Sequence, residues 1–112
     1  VSPDVVVGSH TDLEDLRRVA AGATALTFDH EHVPTELLEK LVAEGVNVLP
    51  PPEALLHAQD KLVMRRRLAA LGAPVPRYIG IETPDALGEL DGFAAKIGGP
   101  LVVKAARGGY DG

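Results

Sequence analysis

The sequence predicts an α/β fold with a parallel sheet, and three observations lead there. Short apolar runs at residues 4–8, 23–28 and 46–49 have strand length. Two stretches with helical apolar spacing separate them, and the order strand, helix, strand, helix, strand implies parallel pairing through right-handed crossovers. The composition, 46% apolar and 24% charged in 112 residues, is that of a soluble globular chain able to bury a core.

Each element has a local reason. "DVVVG" at residues 4–8 is a β-branched run closed by glycine and reads as a buried strand. Thr11 and Glu14 have capping-box spacing, which predicts a helix from there to about Ala21 with Leu13, Leu16, Val19 and Ala20 on one face. "ATALTF" at 23–28 returns to strand, and Pro34 then opens a second helix with Leu37, Leu38, Leu41 and Val42 inward and Gly45 as its stop. "VNVL" at 46–49 is the third strand.

Pro50, Pro51 and Pro52 make the sharpest break, because each ring fixes its own φ and restrains the residue before it. Residues 52–72 read as one helix or two short ones ending at Gly72, and "APVPRYIGI" as a linker entering a strand. Thr83 and Pro84 begin a helix through about Ile97, weakened by Gly88 and Gly92, and "GGPLVVKA" is the last strand. A domain boundary is expected within 72–77, dividing the chain into residues 1–73 and 74–112.

The net charge of −5 argues against nucleic acid or an anionic membrane as partner and favours small-molecule chemistry. The absence of cysteine excludes a disulfide frame or thiolate metal site and suits a cytoplasmic protein. No apolar run reaches spanning length and no signal peptide is readable, while a first residue other than methionine fits an internal piece of a longer protein.

Three places hold candidate chemistry. Lys104 follows Leu101, Val102 and Val103, so its cation at a strand end would attract phosphate, or else snorkel to solvent. Gly108, Gly109 and Gly112 behind it let backbone amides converge on an anion, or form an ordinary turn with Asp111 and Gly112 as turn residues. "TFDHEHVP" at 27–34 places Asp29, His30, Glu31 and His32 after a predicted strand, where a carboxylate hydrogen-bonding a substrate is favoured over metal ligation. Lys61 lies before Arg65, Arg66 and Arg67, a basic cluster that also reads as a solvated helix face.

Taken in order, "TFDHEHVP", "VLPPPEALLHAQDKLVMRRRLAALGAPVPRY" and "GGPLVVKAARGGYDG" resemble the ATP-grasp enzymes, most closely the 5-(carboxyamino)imidazole ribonucleotide synthase family of purine biosynthesis, along nearly the whole chain. The resemblance implies a Rossmann-like pre-ATP-grasp domain followed by the start of an ATP-grasp lid domain. It implies a homodimeric ligase that uses ATP, magnesium and bicarbonate to carboxylate aminoimidazole ribonucleotide by way of carboxyphosphate.

On this resemblance Lys61 and Lys104 contact ATP, and Gly109, Tyr110, Asp111 and Gly112 begin the loop that closes over its phosphates. Tyr110 and Asp111 lie near the aminoimidazole ribonucleotide and bicarbonate, with catalytic roles, and Glu31 helps bind the ribonucleotide, Asp29 being a second choice. The family's magnesium ligands and adenine contacts fall outside this stretch, so the 112 residues alone are expected to be inactive. The alternatives are another ATP-grasp ligase, such as a formate-dependent glycinamide ribonucleotide transformylase, or a non-catalytic α/β binding module.

Overall fold

In the computed structural model, which describes residues 4–108, the chain forms five α-helices and one 3-10 turn. They are α1 (Leu13–Ala20), α2 (Thr35–Ala43), α3 (Pro52–Gln59), α4 (Lys61–Ala70), the 3-10 turn Pro84–Gly88 and α5 (Glu89–Ile97). By packing, the chain divides into two units, Val1–Gln59 and Asp60–Gly112.

The predicted α/β class with its parallel sheet is overturned: no strand forms among the described residues. Leu26 and Val48 make one isolated parallel bridge, in which the Leu26 amide donates to Asn47 O at 2.9 Å and the Leu49 amide to Leu26 O at 2.8 Å. Propensity supplies an extended backbone, but a ladder needs a second backbone alongside, residue after residue. Among the described residues the other apolar runs make no such bridge. Val5 and Val7 are 72% and 87% exposed, and Val102 and Val103 are 78% and 81% exposed.

The first unit holds a core. Leu16 of α1, Leu26, Val33, Leu38 and Leu41 of α2, Val48 and Leu55 of α3 form one buried cluster, and Leu38 and Leu41 are fully buried. The spacing of Leu13, Leu16 and Ala20 puts them on one face of α1, as the helical period requires, whereas Val19 is 45% exposed. Val42, read as inward, is exposed in the same way. The cap of α1 is Asp12 rather than Thr11: Asp12 Oδ1 accepts from the Glu14 amide at 2.8 Å and the Asp15 amide at 3.1 Å. The Thr11 hydroxyl instead bonds the Ser9 hydroxyl at 2.7 Å. Arg17 reaches from α1 to Glu44 at the end of α2, its Nε donating to Oε2 at 2.9 Å.

The second unit contains α4, the 3-10 turn and α5. None of its described residues is buried. The 52–72 stretch divides at Asp60, which caps α4. Gly80 lies so close to this helix that a Cβ there would stand 2.7 Å from Leu62 Cδ2, so only glycine admits that approach without a shift of the leucine. Gly98 ends α5 in the left-handed conformation at φ 71°, and the Arg77 guanidinium donates to Lys96 O at 3.1 Å in the last turn of that helix.

Candidate functional site

Two clusters carry the residues singled out in the sequence, one in each unit. In the first, the loop after Phe28 runs through Asp29, His30, Glu31 and His32 into α2. Gln59, at the end of α3, holds this loop by its backbone. Its Nε2 donates to Glu31 O at 2.9 Å and to Val33 O at 2.8 Å, while its Oε1 accepts from the Thr35 hydroxyl at 2.9 Å. A half-buried primary amide therefore secures three groups of the loop and of the first turn of α2.

Three histidines gather at this loop, His30 and His32 within it and His10 from the turn before α1. His30 meets His10 edge-on, with ring centroids 5.1 Å apart, and lies 5.3 Å from His32, whose amide donates to His30 Nδ1 at 3.1 Å. Among the described residues no group of three His, Asp or Glu side chains is placed to hold a metal ion. Beside the loop, a shallow pocket of about 180 Å³ is lined by Leu16, Phe28, Asp29, His30 and Val33, among others. Glu31 is half-buried, whereas Asp29 is exposed.

The second cluster joins the start of α4 to residues 106–108. Asp60 Oδ1 accepts from the Leu62 amide at 2.9 Å and the Val63 amide at 3.0 Å, and Oδ2 accepts from Arg107 Nε at 3.1 Å. Asp60 and Arg107 form an antiparallel bridge. The Lys61 amide donates to Ala106 O at 2.8 Å, and Lys61 Nζ to Gly108 O at 2.6 Å. The Val63 amide above all, with the Arg107 guanidinium and the Leu62 amide, holds the Asp60 carboxyl below its ordinary value against the opposing effect of desolvation.

Lys61 and the first glycine of the loop are thus brought together across 47 residues of sequence. Lys104 is exposed, two residues before the Ala106 carbonyl that binds α4. Gly109, Tyr110, Asp111 and Gly112 lie outside the described residues. Arg66, read as part of a solvated basic face, pairs with Glu82, and both side chains remain more than half exposed.

Sequence reasoning gave no role to Gln59, Asp60, Thr35 or Arg107. An aspartate before "KLV" carried a readable signal, that of an N-cap. Nothing local marked Gln59, whose partners lie 24 to 28 residues away.

The ribonucleotide synthetase pre-ATP-grasp domain family matches residues 1–59. The N5-carboxyaminoimidazole ribonucleotide synthase of Mycobacterium leprae is 72% identical over 116 residues, a match that covers 100% of this chain and 26% of that protein. The crystal structure of N5-carboxyaminoimidazole ribonucleotide synthetase from Thermotoga maritima aligns with a TM-score of 0.74 at 32% identity, covering 91% of this chain and 27% of that one. The Aspergillus clavatus N5-carboxyaminoimidazole synthase, solved in complex with ADP and 5-aminoimidazole ribonucleotide, aligns with a TM-score of 0.68 at 29% identity, covering 83% of this chain and 24% of that one. The chain spans about a quarter of the length of the curated relatives it matches. With its first half matched by the family and its whole length matched by the Mycobacterium leprae synthase, the chain belongs to the ribonucleotide synthetase pre-ATP-grasp domain family.

Proposed function

We propose that the full-length protein is an ATP-dependent ligase that carboxylates aminoimidazole ribonucleotide. The observation that carries this reading is the 72% identity, along the whole chain, to a protein named for the product of that reaction. ATP would transfer its γ-phosphoryl group to a bicarbonate oxygen, giving ADP and carboxyphosphate. The ribonucleotide amine would then attack the carboxyl carbon and release phosphate.

In this reading Lys61 and Lys104 neutralise the nucleotide phosphates, and the loop from Gly109 through Tyr110 and Asp111 to Gly112 covers them. Water is thereby kept from a labile acyl phosphate. Glu31, with its backbone secured by Gln59, receives the ribonucleotide, and Tyr110 and Asp111 act near the reacting groups. Residues 1–73 belong to the amino-terminal domain and 74–112 begin the ATP-grasp domain. We place the enzyme in the cytoplasm as a homodimer; among the described residues no helix is long and apolar enough to cross a membrane. Magnesium, which the family resemblance implies, finds no group of three His, Asp or Glu ligands among the described residues.

The test is ATP hydrolysis by the full-length protein. Hydrolysis that requires both bicarbonate and aminoimidazole ribonucleotide is expected. Hydrolysis indifferent to both, or supported by formate in place of bicarbonate, overturns the reading.

A further inference from the structure

We infer that Asp60 is a positioning residue for the nucleotide-binding cations, acting through Arg107 and the first turn of α4; the inference rests on the ligase reading above. Its two carboxylate oxygens have separate tasks. Oδ1 caps α4 through the Leu62 and Val63 amides, which sets the direction in which Lys61 leaves the helix. Oδ2 receives Arg107 Nε, which holds the segment entering the glycine loop.

Arg107 is 62% exposed, but its pair with Asp60 does not stand on charge alone. The Asp60 side chain is only 15% exposed, and the contact with Arg107 is accompanied by a backbone bridge between the same two residues. The Lys61 amide on Ala106 O and Lys61 Nζ on Gly108 O tie the next residue to the same short segment. Residues 60 and 61 therefore grip 106–108 through both side chains and backbone. Among the described residues the cations here include Lys61, Lys104 and Arg107, and Asp60 pairs with Arg107. A carboxylate on Arg107 fixes that guanidinium while the same side chain caps α4, so the start of the helix and the 106–108 segment are placed before a polyanion arrives. Preformed placement of this kind lowers the ordering cost of binding, so it acts on nucleotide affinity.

The two tasks separate by substitution in the full-length enzyme. Asp60→Asn keeps a capping oxygen, since asparagine caps as well as aspartate, but removes the charge opposite Arg107. It is expected to raise the KM for ATP about tenfold, as loss of a charged hydrogen bond does, with the KM for aminoimidazole ribonucleotide and the melting temperature nearly unchanged. Asp60→Ala removes both tasks and is expected to raise the KM for ATP further while lowering the melting temperature. In an Arg107→Met background Asp60→Asn should have no additional effect on ATP, because the partner it acts through is gone.

Lys61→Ala and Lys104→Ala are the controls for the nucleotide site. If they raise the KM for ATP and Asp60→Asn does not, Asp60 has no positioning role. If Asp60→Asn raises the KM for both substrates alike, in step with a lower melting temperature, its role is structural and the inference is overturned. If neither lysine variant affects ATP, the nucleotide site itself is misplaced, and both the ligase assignment of these residues and the inference fall.

Discussion

The two units of this chain are held together by different forces. Val1–Gln59 has a buried cluster running through α1, α2 and α3, with Leu38 and Leu41 wholly out of solvent. Asp60–Gly112 has no buried residue among those described, and the ties between its described residues include a bridge, an N-cap, the Arg66–Glu82 and Asp60–Arg107 ion pairs and hydrogen bonds to backbone carbonyls. The first unit has removed apolar area from water and gains stability from it. The second has apolar side chains such as Leu62, Val63, Ile79, Phe93 and Ile97 only half-buried, and its polar contacts set direction and register more than they add stability. The two candidate clusters reflect the same division. The Glu31 loop is secured by an amide backed by a core, while Lys61 is tied to the Ala106 and Gly108 carbonyls beside the Asp60–Arg107 pair.

That contrast breaks first, if it is wrong, in the core. Leu41→Ala should cost about 2–5 kcal/mol, the usual range for a buried leucine left as a cavity. Hydrogen exchange across the full-length protein should show faster opening of α1, α2 and α3 with little change in α4 or α5. Equal loss of protection in α4 and α5 would mean that the units are not independent. Next in size is Gln59→Leu, which fills the same space but leaves the Glu31 and Val33 carbonyls and the Thr35 hydroxyl without this partner. A cost of about 1–3 kcal/mol is expected, read as increased exchange at the start of α2.

A smaller effect tests the cap of α1. Asp12→Ala should lose about 1 kcal/mol, whereas Thr11→Val should leave helix protection nearly unchanged. Reversal of that order would restore Thr11 as the cap. The smallest effects are electrostatic. Because the folded-state pKa of Asp60 is depressed below its ordinary 3.8, its contribution is fully present above that value and is lost as the pH falls through the folded one. Exchange at the Leu62 and Val63 amides, corrected for intrinsic rates, should therefore accelerate only in strongly acidic solution. The Arg17–Glu44 pair has the same sign, since Arg17 lowers the Glu44 carboxyl, but both side chains are 39% exposed and salt should weaken it.

Helices were the legible part of this fold. Prolines and apolar spacing marked α1 and α2, with the cap of α1 falling on Asp12 instead of Thr11; the helix expected from Thr83 and Pro84 to Ile97 is a 3-10 turn followed by α5; and Gly72 follows the end of α4 as read, although the break at Asp60 remained undecided between one helix and two. The strands were misread in one specific way. Residues 23–28 and 46–49 do approach each other, at Leu26 and Val48, yet a single bridge is not a sheet. Of the candidate site, Glu31 and Lys61 were singled out on family resemblance, while the groups that hold their surroundings in place, Gln59 and Asp60, were passed over.

The sequence by itself determined where the chain coils and where it is interrupted, because a helix closes its hydrogen bonds four residues back and its caps lie within the same turn. Tertiary structure alone decided which extended runs found partners and which side chains met. Those contacts join residues 28 apart at Gln59 and Glu31 and 47 apart at Asp60 and Arg107, and no local pattern encodes a partner at that distance.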